Sequence, residues 1–212
     1  MGTDDQINTL SRLFRVSHET ISSLKKYEKL LIKANNSLNL IGKSTLNQIW
    51  NRHFIDSFQV IDFIDKSDNS IIDMGSGAGF PGMVLAIAAK DKNIPIKITL
   101  VEKSKKKANF LNDIKNELNL NVHVICKNIL NDNEKLTSQV FVARAFKPFE
   151  IILELIHNKI ENFEKFFVFL GKTGSRDLLQ ASKNWDIKYK QRMSITSNDS
   201  FIIEINKLEK IN

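Results

Sequence analysis

Cysteine is almost missing from this chain: Cys126 stands alone among 212 residues. No intramolecular disulfide can form, and no Cys/His cluster has zinc-site spacing, so no metal is expected and stability has to come from packing. Long hydrophobic runs are missing as well. None approaches the ~20 residues that cross a bilayer, and the N-terminus is polar rather than a basic stretch leading into an apolar one, which predicts a cytoplasmic location and no membrane partner. Internal repeats and low-complexity segments are also lacking. Cys126 itself reads as a small core residue at a strand end.

What is present is ordinary for a globular protein: 42% hydrophobic and 26% charged residues, in a length that buries one sizeable core. The balance of charge is less ordinary. A net charge of +7 suggests a polyanionic partner, because clustered Lys and Arg release counterions from phosphates. A solvated lysine-rich surface explains the charge alone equally well. The distribution favours a basic face: Lys103, Lys105, Lys106 and Lys107 crowd one turn, and residues 165–192 hold seven basic residues against Asp177 and Asp186.

Hydrophobic periodicity divides the chain into a helical extension over 1–69 and an α/β unit over 70–212. Ile21, Leu24, Tyr27 or Glu28, and Leu31 recur at helical spacing, with Ser17 placed to cap the start and Asn35-Asn36 marking the end; a shorter helix precedes them. A further helix is predicted over 45–64, with Thr45 as its cap and Leu46, Ile49, Trp50, Phe54, Phe58 and Ile61 as one apolar stripe. Such helices are marginal alone and must pack on the unit that follows. From residue 70, strands are predicted over 71–74, 96–101, 122–125, 140–143, 166–170, 188–192 and 201–206, and helices over 81–90, 105–118, 149–162 and 174–184. This βα alternation implies a mostly parallel sheet with helices on both faces. The last two strands lack an intervening helix and should form an antiparallel hairpin, leaving one reversed strand at the sheet edge.

The most informative stretch is Ser70 to Gly82, where an apolar strand ends on Asp73 and glycines follow at 75, 77, 79 and 82. Glycine supplies positive φ and lets a ligand approach the backbone, and Pro81 suits the first helical position. Alone, such a turn is a weak signal that a tight structural loop would also give. A second acid, Glu102, closes the next strand, where a ribose diol would lie; the competing reading is an exposed helix-capping acid. Gly-x-Gly-x-Gly after Asp73 differs from the dinucleotide Gly-x-Gly-x-x-Gly. An acid beside exposed glycine backbone suits the cationic sulfonium and amino group of S-adenosylmethionine better.

Asn39-Leu40, Arg52-His53-Phe54-Ile55-Asp56-Ser57, Asp73 to Gly82 and Ala143-Arg144-Ala145-Phe146 occur in that order, and together they resemble the RsmG (GidB) family over nearly the whole chain. Gly-Phe-Pro-Gly with a downstream Arg-Ala-Phe is far more specific than the glycines alone. The resemblance implies a class I S-adenosylmethionine-dependent methyltransferase fold, Rossmann-like, with a seven-stranded mostly parallel sheet whose last strand is antiparallel. It also implies methylation of N7 of one guanine in 16S rRNA, with the rRNA or the small ribosomal subunit as partner and a monomeric enzyme. Cofactor contacts then fall on Gly75, Phe80 and Arg144 and on Ile129-Leu130, with Asp73, Gly77, Gly79 and Glu102 completing the pocket. Asp73 serves equally well as a buried turn-stabilising acid.

Arg144 and Lys172 are the catalytic candidates. Many members of the family read Leu-Lys-Gly after the fifth strand, whereas here it is Leu170-Gly171-Lys172, a shift that turns Lys172 away from the pocket if the strand continues. Asn128 and Ser200 replace arginines found in some members, which leaves those basic RNA contacts missing or moved to Arg176 or Arg192; Arg52, Lys105, Lys106 and Lys107 are further RNA-contact candidates, and the lysines read equally well as a solvated helix start. Guanine N7 has a free lone pair, so no acid/base dyad is expected, and Arg144 would orient the cofactor or the guanine edge, the competing reading being a salt-bridged structural arginine. The absence of an Asn/Asp-Pro-Pro-Tyr/Phe element argues against exocyclic-amine methylation. Cys126 lacks the adjacent proline of covalent pyrimidine methylation, and His53 reads as a polar-network residue. A small-molecule methyltransferase and an RNA-binding module with a decayed pocket are the alternatives.

Overall fold

A computed structural model describes residues 2–211. The chain opens with helices α1 (Thr3–Phe14) and α2 (His18–Leu38). Ser17 caps α2 as its type predicts, accepting a hydrogen bond from Thr20 N at 3.2 Å. The helix runs past Asn35-Asn36 and ends at Asn39, in the left-handed region at φ 47°. Asn35 does not stop it, because its buried side chain instead accepts from Ile41 N at 2.8 Å and fixes the exit of the chain.

The stretch predicted as one helix from Thr45 is broken into a 3-10 segment (Lys43–Gln48), a π turn (Trp50–Ile55), the short α3 (Asp56–Phe58) and a second 3-10 segment (Gln59–Phe63). Thr45 is not its cap: it lies inside the first segment, where its hydroxyl donates to Gly42 O. The apolar stripe still faces inward, with Ile49, Trp50, Phe54, Phe58 and Ile61 buried. The π turn has a consequence for the site. Asp56 N bonds the carbonyls of Asn51 and His53, so the carbonyl of Arg52, which an α-helix would use at that position, is left for another donor.

Strands β1 (Ser70–Met74), β2 (Lys97–Glu102), β3 (Val122–Cys126), β5 (Val140–Arg144), β7 (Lys165–Leu170), β8 (Trp185–Met193) and β9 (Phe201–Lys210) form one sheet in the order β3-β2-β1-β5-β7-β9-β8. Every pairing up to β7 is parallel, and β9 is antiparallel to both its neighbours. The expected hairpin is present, but the reversed strand β9 sits inside β8 and not at the edge. Central placement is what its five consecutive buried residues, Phe201 to Ile205, require. Helices α4 (Gly82–Asp91), α5 (Lys105–Glu117), α6 (Phe149–Lys159) and α7 (Gly174–Ala181) cover the faces. Helix α6 ends before residue 162 because Ile160–Glu161 form strand β6, paired with β4 (Leu136–Thr137).

One apolar cluster joins residues of α1, α2 and the 43–63 segment to α4, α5 and one sheet face; a second joins α6 and α7 to the other face. Cys126 is exposed, at the end of edge strand β3, and is no core residue. Among the described residues no helix is long and apolar enough to cross a membrane. Strand order reverses at β1, which opens a crevice beyond the carboxyl ends of β1 and β5, the place where open α/β sheets bind ligands.

Candidate active site

The turn from β1 to α4 is held almost entirely by its own backbone. Gly75 N and Ser76 N both donate to Val101 O, at 2.9 and 3.1 Å, tying the turn to β2. Gly77 N donates to Glu102 Oε2 at 2.9 Å, and Ser104 N donates to Oε1 at 2.8 Å. Gly75 and Gly77 have φ of 73° and 56°, in the region that favours glycine. They differ in surroundings: a side chain at Gly75 would run into the Phe146 ring, whereas a Cβ at Gly77 would meet nothing nearer than 3.8 Å. Gly77 therefore leaves open space, and Gly75 makes room for protein.

Asp73 lies beneath this turn, fully buried, with Oδ2 accepting from Gly82 N at 2.9 Å. Burial pushes its carboxyl up to about 7. Its other oxygen, Oδ1, has no hydrogen-bond partner among the described residues. From the opposite side Tyr27 of α2 donates its hydroxyl to Ala78 O at 2.5 Å and stacks on Phe80 with ring centroids 5.7 Å apart. The helical extension thus holds the turn from outside the sheet.

Arg144 ends β5. Its Nη2 pairs with Asp56 Oδ2 at 2.9 Å and donates to the Arg52 carbonyl freed by the π turn. Nη1 lies 3.3 Å from His53 Nδ1. A guanidinium only donates, so Nδ1 accepts and Nε2 carries the hydrogen toward Thr45 Oγ1, 3.0 Å away. Burial first, then the charges of Arg144 and Arg52, lower His53 to about 3. It is a neutral polar-network residue, stacked on Phe80 at 4.8 Å. Asp56 accepts from four side chains in all: Oδ1 takes bonds from Gln59 Nε2, Ser194 Oγ and Thr196 Oγ1 at 2.9 to 3.0 Å, and Oδ2 holds Arg144. Arg144 is thereby bound to the β8–β9 turn through one carboxylate.

Gly75, Gly77, Phe80, Glu102, Ile129, Leu130 and Arg144 come together around one cavity of about 510 Å³, a size typical of small-molecule sites. Lys107 also reaches it, as do Lys103 and Lys147. Asp73 and Gly79 do not line it. Asp73 anchors the turn from below, and Gly79 packs toward Tyr27. Lys105 and Lys106 are exposed on the first turn of α5. Lys172 is displaced from the site: the chain has left β7 at Leu170, and the lysine stands in solvent 3.6 Å from Asp199. Arg192 is spent on the fold, pairing with Glu204 at 2.8 Å and lying 3.8 Å over the Phe63 ring. Arg176 is exposed beside Asp177. Arg52 lies off this cavity, in a hollow next to it.

The reading from sequence gives no role to Tyr27, Gln59 or Ser194, and none individually to Asp56. Asp56 sits within the Arg52 to Ser57 motif, which is the one sequence signal for it; Gln59 and Ser194 carry none.

The cavity fits S-adenosylmethionine. Each Glu102 oxygen accepts one backbone N–H and keeps a second lone pair for a ribose hydroxyl. Gly77 leaves backbone accessible, and Val101 and Ile129 offer an apolar wall for an adenine. The sequence as a whole agrees with that chemistry. A model of the GidB family, rRNA small subunit methyltransferase G, matches residues 20–203. The chain belongs to this family. The Ribosomal RNA small subunit methyltransferase G of Pelagibacter ubique is 39% identical over 199 residues, covering 93% of each chain. That of Rickettsia felis is 33% identical, covering 94% of this chain and 100% of the relative. In fold alone, the chain resembles M. capricolum TrmK in complex with S-adenosyl-homocysteine, with a TM-score of 0.53 at 21% identity, over 71% of this chain and 67% of that one.

Proposed function

We propose that this GidB-family protein methylates N7 of one guanine in 16S rRNA, acting as a cytoplasmic monomer. Membership of the family makes it an S-adenosylmethionine-dependent methyltransferase of small-subunit rRNA. When bound, S-adenosylmethionine supplies an electrophilic methyl carbon on a cationic sulfur, which the N7 lone pair displaces with no proton to remove. The observation that carries the reading is the pairing of Glu102 with the glycine turn, across one cavity from Arg144.

The chain's own work is alignment, which is worth up to about 7 to 11 kcal/mol when reacting groups are held in near-attack geometry. Glu102 and the Gly75–Gly77 backbone hold the donor side. Phe80, His53 and Arg144 form a stacked and hydrogen-bonded wall that does not titrate near neutrality, because His53 stays uncharged above about pH 3. Incubation with methyl-labelled S-adenosylmethionine and undermethylated 16S rRNA should put label on guanine N7. Label on another atom would remove the assignment, and absence of transfer to any rRNA or subunit would remove the function.

A further inference from the structure

Beside the cavity lies a second hollow of about 270 Å³, and the two share Arg144 and Ala145 as a common wall. The far walls of the hollow are the end of β7 and the β8–β9 turn: Phe169, Gly171, Ser194 and Ser200. Ala145, exposed and at φ 49°, puts only a methyl group into the wall that the two spaces share. Its neighbours Arg144 and Phe146 turn toward the protein on either side.

The polar groups of the hollow are almost all committed. Arg144 is engaged by Asp56, the Arg52 carbonyl and His53. Asp56 is saturated by Arg144, Gln59, Ser194 and Thr196. Arg52 is the exception. Its guanidinium is half-buried and has no hydrogen bond or ion pair among the described residues, although it stands close enough to Arg144 for the two charges to repel. A partly exposed guanidinium that bonds to no described residue is free to take an acceptor from outside the chain.

We propose that the hollow receives the target guanine itself, turned out of the RNA, with Arg52 donating to O6 and N7 directed at the shared wall. This rests on the methyl-transfer reading given above. A flat base suits a space walled by Phe169, Leu170 and Phe201 better than a hydrated phosphate does. The donor also selects the base: guanine presents an acceptor at position 6, whereas adenine presents an amino donor that a guanidinium rejects. Arg144, the residue singled out from the sequence for this contact, keeps the wall in place and passes base recognition to Arg52.

The test pairs a change in the enzyme with a change in the base. 16S rRNA is ligated with guanine or 2-aminopurine, which keeps N7 and lacks O6, at the position labelled by the wild-type protein. Wild type should lose about 10- to 100-fold in kcat/KM on 2-aminopurine, the loss expected for one charged hydrogen bond. Arg52→Ala should lose as much on guanine and nothing further on 2-aminopurine, while binding S-adenosylmethionine within about twofold of wild type by calorimetry. Additive losses, or equal losses of Arg52→Ala on both bases, overturn the assignment of Arg52 to O6. Wild-type protein that fails to bind S-adenosylmethionine, or labels no guanine, overturns the methyl-transfer reading and this one with it. Arg52→Lys, which keeps the charge and the fold, should recover less than half of the guanine rate; full recovery also overturns the proposal, because a point charge would then suffice.

Discussion

The β1–α4 turn and the β8–β9 turn flank Arg144 from two sides and are held by different means. The first is fastened by backbone N–H groups whose partners lie close in the chain, nine residues away for Gly82 with Asp73 and 25 for Gly77 with Glu102. The second is fastened to a distant carboxylate by side chains, with Ser194 and Thr196 reaching Asp56 across 138 and 140 residues. A backbone-held turn depends on which residues can adopt its φ angles, so a single Cβ breaks it. A carboxylate hub depends on one charge. Removing that charge leaves three donors and a buried guanidinium unsatisfied at once.

The contrast can be broken from either side. The largest expected effect is Gly75→Val, which places a branched side chain on the Phe146 ring at φ 73°; S-adenosylmethionine binding by calorimetry should disappear, and retained binding would show that the turn does not form the donor site. Next comes Asp56→Ala, expected to cost about 3 to 5 kcal/mol in urea unfolding by stranding Arg144. A loss below about 1 kcal/mol would mean that Arg144 finds another partner.

Asp73 gives a pH signature to the backbone-held side. Its native carboxyl keeps a proton to about pH 7, whereas the ordinary value is 3.8, so between those limits the folded state binds more protons than the unfolded one. Stability should therefore fall as pH rises from about 4 to 7, by up to about 4 kcal/mol. Asp73→Asn keeps an acceptor for Gly82 N and should flatten that slope; the same slope in the variant would assign it to other groups. Tyr27→Phe removes the bond to Ala78 O and should cost about 1 kcal/mol, with a measurable weakening of S-adenosylmethionine binding if α2 helps to hold the turn. Smallest is Lys172→Ala: an exposed lysine 3.6 Å from Asp199 should change stability by less than about 0.5 kcal/mol and leave kcat within about twofold, and a large fall in kcat would return it to the catalytic residues.

The same contrast accounts for what could be read before the fold was in hand. Strand and helix identities from β1 onward follow from local periodicity, and the glycine turn follows from residue types fixed by φ and by close approach. Glu102 was legible because a strand end and a helix cap leave one place for it. Lys172 lies outside the site because the strand stops at Leu170 and the side chain leaves with the loop into solvent. The 43–63 segment was misread as one helix because its apolar stripe is compatible with α, π and 3-10 turns alike; the packing of Trp50, Phe54 and Phe58 decides among them. The links from Ser194 and Ile195 to Asp56 and Gln59 stayed invisible for a different reason. They span 138 and 136 residues, and no local pattern records such a pairing.

The bond between Asp56 and Thr196 also sets an order of events during synthesis. At about 5 to 20 residues per second, the 140 residues between them take about 7 to 28 seconds to make. Arg144 is made 52 residues before Thr196, about 3 to 10 seconds at that rate, and through that interval Asp56 holds it without the bonds from the β8–β9 turn, whereas the glycine turn can close as soon as β2 has left the ribosome. The wall that the cavity and the hollow share is thus the last part of the site to be fastened.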